Sequence, residues 1–141
     1  VLDDGRTLAQ SNAILAYFAA GSQLLPTEPY ALAKVNEWLF WEQYSHEPYV
    51  AVARHQIISG RASHDSLDPV LKAKAFAALA FLEAALDGRD WLANDAPSIA
   101  DIALCAYTRL APEAGFFLAP YPNLMAWVAR CDARFCAHAP A

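Results

Sequence analysis

Apolar residues recur at helical spacing along almost the whole chain. Leu8, Ser11, Ile14, Leu15 and Phe18 share one face of a short first helix, which Gly21 can close in a left-handed conformation. A longer pattern runs from Tyr30 to His55. In it Leu32, Val35, Leu39 and Glu42 form one stripe, and Trp38, Trp41, Ser45, Tyr49 and Val52 another. Pro48 lies inside this pattern, removes one backbone donor and crowds the preceding turn, so a bent helix is expected there. Ser59 to Ser66 is polar and turns at Gly60. Asp68-Pro69 then supplies a cap and a first-turn proline for a helix carrying Leu71, Ala75, Leu79, Leu82 and Leu86, with Gly88 at its end. A further helix follows Ser98, and a last one follows Pro122 with Leu124, Trp127, Val128, Cys131 and Phe135 facing inward. Ahead of all of these, Val1-Leu2 running into Asp3-Asp4-Gly5 reads as the end of a strand entering a tight turn. The fold class predicted is an all-α bundle with a short strand-helix segment at its front.

Composition narrows the function classes. In 141 residues, 57% hydrophobic and 18% charged, there is ample apolar material for one packed domain. The net charge of −5 argues against a nucleic-acid surface, which needs a basic field. Charged residues interrupt every apolar window before it reaches the ~18 residues of a membrane span. Cys105, Cys131 and Cys136 form no CxxC and cannot all pair with one another, which points to a reducing, cytoplasmic setting. His46, His55 and His64 lack the i, i+4 spacing of a helical zinc site, and no metal is expected.

Ser98-Ile99-Ala100-Asp101 has the form of an acidic capping box, in which the Ser98 hydroxyl accepts the Asp101 amide and the Asp101 carboxylate accepts the Ser98 amide. A hydroxyl beside a carboxylate also suggests chemistry, but no partner histidine is placed by the sequence, so the box reads as structural. The Trp38, Phe40, Trp41 cluster reads as packing or as a contact between subunits.

Two segments resemble one family. Leu8-Ala9-Gln10-Ser11-Asn12-Ala13-Ile14-Leu15-Ala16-Tyr17 resembles the end of the glutathione-binding domain of bacterial-type cytosolic glutathione S-transferases. Pro97-Ser98-Ile99-Ala100-Asp101-Ile102-Ala103-Leu104, with Trp91-Leu92-Ala93 before it, resembles the capping box of their helical domain. The resemblance implies a remnant of the thioredoxin-like domain over 1–21, a linker over 22–29 and the C-terminal helical domain over 30–141. The chain opens on Val1 rather than Met, inside an expected element, and is read as the later part of a longer protein. The family's catalytic Ser, Tyr or Cys would precede Val1, so no catalytic residue is assigned within this chain.

What the resemblance implies about chemistry can be placed on residues. Gln10 and Ser11 open a helix, where free amides and the dipole favour an anion. With glutathione as co-substrate, they would hold its γ-glutamyl end; the alternative is that Ser11 only caps the helix. Tyr44, His46, Glu47 and Tyr49 fall where the family's electrophile pocket lies. Either His46 or Glu47 would match a histidine that some bacterial members carry, and the alternative is a surface histidine near the bend. The implied function is conjugation or reduction of small hydrophobic electrophiles by an intact homodimer, with the first helix and the long bent helix as dimer elements. The alternative is a non-catalytic binding or interaction module of the same fold.

Overall fold

Residues 1–136 are described by a computed structural model, so positions 137–141 of the expected helical domain lie outside the description. The elements in order are α1 (Ser11–Ala19), α2 (Pro29–Trp41), a π-helical turn (Glu42–His46), α3 (Glu47–Ile58), α4 (Pro69–Ala85), α5 (Ile99–Thr108), a 3₁₀ turn (Ala111–Ala114), α6 (Pro122–Cys131) and a final π turn (Asp132–Cys136). The all-α class is therefore correct.

Local capping chemistry sets most helix starts. The Glu28 carboxylate accepts the Tyr30 and Ala31 amides at 3.0 and 2.7 Å and starts α2, with Pro29 in its first turn. Asp68 does the same for α4, accepting the Val70 and Leu71 amides at 2.6 and 3.3 Å. Asp68→Ala is expected to lower unfolding stability by about 1 kcal/mol in a urea titration, since it strands these amides. The start of α6 is capped from across the bundle: Glu83 of α4 accepts the Asn123 and Leu124 amides at 3.2 and 2.8 Å.

At the centre stands α5, packed against α1, α2, α3 and α6. Its inward residues Ile99, Ala100, Ala103, Leu104 and Cys105 are buried against Val35 and Leu39 of α2 and Leu124 and Trp127 of α6, within one continuous core. The segment from Ser22 to Glu28 has no regular structure but is fastened at Ser22 and Leu24. The Ser22 hydroxyl donates to the Ala19 carbonyl at 2.7 Å, and the Leu24 carbonyl accepts the Ile99 amide at 3.0 Å. It thereby joins α1 to the entrance of α5.

Two local expectations are corrected. Val1-Leu2 forms no strand; the Leu2 amide bonds the Arg6 carbonyl at 2.7 Å and the Gly5 amide bonds the Leu2 carbonyl at 2.9 Å, closing a turn. A strand needs a neighbouring ladder, and none exists among the described residues. The bend near Pro48 is present, but its form is a π turn, in which the Glu47 amide reaches back to the Glu42 carbonyl. Pro48 occupies the second position of α3, where a missing amide costs little, and the widened turn before it absorbs the extra residue.

Candidate functional site

α1 begins without a side-chain cap. Its first intrahelical bond runs from the Ile14 amide to the Gln10 carbonyl at 3.0 Å, so the amides of Ser11, Asn12 and Ala13 have no helical acceptor. Ser11 is exposed in the first helical position, and the capping role weighed for it is not the one it plays. Gln10 precedes it with φ 71° and ψ 120°; among the described residues no other non-glycine has positive φ. That conformation costs on the order of 1–3 kcal/mol and is held by its surroundings. The result is a helix entrance with a hydroxyl, three free amides and the positive dipole end, which suits a carboxylate.

Asn12 fixes this entrance to the bundle. Its side-chain amide donates to the Leu39 carbonyl at 3.2 Å and to Glu42 Oε2 at 2.9 Å, while Gln43 donates to the same oxygen at 2.7 Å. Glu42 is almost wholly buried in the π turn, and its other oxygen, Oε1, has no partner among the described residues. Burial pushes its carboxyl pKa up, against the pull of the Gln43 and Asn12 hydrogen bonds. Glu42, together with Ser11, Asn12, Ile102 and Tyr107, lines an apolar cleft of about 360 Å³ between α1 and α5. The pattern of apolar positions put Glu42 on an inward stripe, which was the available signal; its partner Asn12 lies on another helix and could not be read locally.

The four residues expected in an electrophile pocket are separated. Tyr44 and Tyr49 line a groove of about 340 Å³ with Trp41, Lys74 and Phe81, on the side of α4. There the Lys74 ammonium donates to the Tyr49 hydroxyl at 3.0 Å and sits 4.8 Å from the ring centre. Glu47 instead lines a groove of about 370 Å³ with Ala51, Val52, His55, Ile58 and Tyr107. Nearby Arg54 is matched by Glu113 at 2.7 Å.

His46 lies in neither groove and is not a surface residue. It is fully buried, with Nε2 3.0 Å from the Thr108 hydroxyl. That hydroxyl donates its own proton to the Leu104 carbonyl at 2.8 Å, so it accepts from His46 Nε2–H. Nδ1 is then the bare nitrogen, and it has no partner. Burial lowers the His46 pKa from 6.5 to about 4, which keeps the ring neutral.

Ser98 and Asp101 form a folding clasp larger than a capping box. Asp101 is fully buried. Its Oδ2 accepts the Ser98 amide at 2.9 Å and the Ser98 hydroxyl at 3.1 Å. Its Oδ1 accepts the Leu92 amide at 3.0 Å and the Trp127 indole at 2.9 Å. The Ser98 oxygen takes the Ala100 amide at 3.3 Å. Every acceptor site on this carboxylate is committed to structure. The cysteines offer no reactive thiolate pair: Cys131 is buried, with its pKa raised by its hydrogen bond with Cys105 and by burial, and Cys136 is exposed beside Arg109 at 2.9 Å. Among the described residues no cluster of three His, Cys, Asp or Glu could hold a metal ion, and no helix is long and apolar enough to cross a membrane.

The family model described as glutathione S-transferase, C-terminal domain, matches residues 40–134. Glutathione S-transferase D7 of Anopheles gambiae is 32% identical over 133 residues, which cover 92% of this chain and 60% of that protein. A glutathione S-transferase structure from Xanthobacter autotrophicus superposes with a TM-score of 0.89 at 48% identity, covering 94% of this chain and 66% of that one. One from Pseudomonas fluorescens gives 0.91 at 42% identity, covering 99% and 70%. The chain thus spans about two thirds or less of the Anopheles and Xanthobacter proteins.

Proposed function

The chain belongs to the glutathione S-transferase family as its C-terminal helical domain, and from that premise we propose that it serves an intact transferase joining glutathione to small hydrophobic electrophiles. The observation that carries this reading is the uncapped entrance of α1, where Ser11 and the amides of Ser11, Asn12 and Ala13 are free for an anion. The γ-glutamyl carboxylate of glutathione would take these donors. The exposed Gln10 side chain would accept from the neighbouring ammonium group through its amide oxygen. Asn12 and Glu42 act through this entrance as positioning residues, holding the first turn of α1 against α2. The domain division at 1–21, 22–29 and 30–141 belongs to the same proposal.

No residue of the chain is assigned to stabilise the glutathione thiolate; that group would lie in the part of the transferase preceding Val1. What the present residues supply is binding, orientation and an apolar wall. Of the two grooves on the bent helix, the one containing Glu47 shares a wall with the α1 cleft and is the electrophile site proposed here. The opposite groove, with Tyr44 and Tyr49, opens between exposed aromatics: Tyr44 and Phe81 are 83% and 51% exposed. That face, rather than the substrate site, is proposed for the homodimer contact.

Ser11→Ala in the full-length transferase is expected to weaken glutathione binding about 10- to 100-fold in calorimetric titration, the loss of one hydrogen bond to a charged group. An unchanged Kd would remove Ser11 from the site and with it the main support for the reading.

A further inference from the structure

The α1 cleft and the Glu47 groove meet at a single side chain: Tyr107, on the last turn of α5, is common to the walls of both. Its place is rigidly defined. The next residue, Thr108, is fully buried and bonded to both Leu104 and His46. The ring is half-buried. It lies between two carboxylates, Glu42 on the cleft side and Glu47 on the groove side. Burial, then these two charges, push the phenol pKa up and keep the hydroxyl neutral.

We propose that Tyr107 is a specificity-determining residue: its ring stands between the α1 cleft and the electrophile groove and limits the length of the electrophile that fits. This rests on the assignment of the Glu47 groove as the electrophile site under the proposed function. The ligand class follows from the walls. Ala51, Val52 and Ile58 supply apolar surface, and the Arg54 charge is cancelled by Glu113, leaving Glu47 as the acid on the groove. An uncharged alkyl electrophile is favoured there over an anionic one.

Two alkyl iodides, 1-iodobutane and 1-iodohexane, probe the partition in the full-length transferase with glutathione. In each reaction the thiolate sulfur bonds the terminal carbon as the carbon–iodine bond breaks, and iodide leaves with the electron pair. A methylene group in an apolar site changes kcat/KM by about 10-fold or more. Tyr107→Ala is therefore expected to raise the hexyl-to-butyl ratio of kcat/KM about 10-fold, and Tyr107→Trp to lower it. Tyr107→Phe keeps the ring and should hold the wild-type ratio. A ratio that Ala and Trp both leave in place, or that Phe shifts as far as Ala does, overturns the partition while leaving the proposed function standing. Wild-type enzyme that turns over neither iodide with glutathione overturns the proposed function, and the partition with it.

Discussion

Asp101→Ala is expected to lower unfolding stability by about 3–5 kcal/mol, a large part of the ~5–15 kcal/mol that holds a domain together. The size follows from what the substitution strands. The Leu92 and Ser98 amides and the Trp127 indole all end on one buried carboxylate, and each donor left unsatisfied costs about 1–3 kcal/mol. These losses are not additive, because the clasp can partly relax. The carboxylate ties the loop before α5, the first turn of α5 and the middle of α6 into one knot, so its removal loosens three segments together. Ser98→Ala removes only a hydroxyl and should cost about 1 kcal/mol. Urea unfolding followed by tryptophan fluorescence separates the two, since Trp127 reports on the clasp itself. A loss below about 1 kcal/mol for Asp101→Ala would mean that the clasp is not a keystone of the fold.

His46 gives the second large effect, and it depends on pH. Its folded pKa lies near 4, whereas an unfolded histidine binds its proton near 6.5. Between these values the unfolded chain takes up more protons, so stability rises with pH across that window. The contribution is fully present above about 6.5 and is lost as the pH falls towards 4. The gap between the two corresponds to about 3 kcal/mol. The physical cause is visible in the packing: Nδ1 is bare and buried, so a proton there would have no acceptor. Glu42 works in the opposite sense, because its raised pKa favours the folded state at low pH. Comparing wild type with His46→Gln therefore isolates the histidine. The wild type should show the steeper fall in urea-unfolding free energy between pH 6.5 and 4, and parallel profiles would contradict the buried neutral ring.

These two residues also show what a linear reading can reach. Ser98 and Asp101 lie within one turn, and the geometry of a helix start dictates their pairing, so the box is legible from spacing alone. Leu92 and Trp127 join the same carboxylate from separate segments, and only tertiary packing brings them there. His46 illustrates the reverse difficulty. Its place beside Pro48 suggested a surface or a pocket, yet Thr108, far along the chain, provides the partner that makes a buried imidazole tolerable. Pro48 announced a bend but not its π form, because the extra residue per turn depends on how Glu42 and His46 are both drawn inward. At Val1-Leu2 local propensity favoured a strand, while the absence of a neighbouring ladder among the described residues left a turn.

The site divides in a similar way. The helix entrance at Gln10 and Ser11 was legible because the start of α1 lies within two residues, and its part in holding glutathione belongs to the proposal. The grouping of Tyr44, His46, Glu47 and Tyr49 did not survive as one wall. At a widened turn, neighbours in sequence face different helices: two point towards α4, one into the core and one towards α5. Tyr107 carried no sequence signal at all, since its importance comes from standing where two cavities meet.

A crystal structure of the full-length transferase with S-hexylglutathione tests the central claim most directly. The γ-glutamyl carboxylate is expected on the Ser11 hydroxyl and the α1 amides, with the hexyl chain passing Tyr107 and lying along Glu47 and Ala51. A γ-glutamyl group bound away from Ser11, or a hexyl chain seated between Tyr44 and Tyr49, would contradict it.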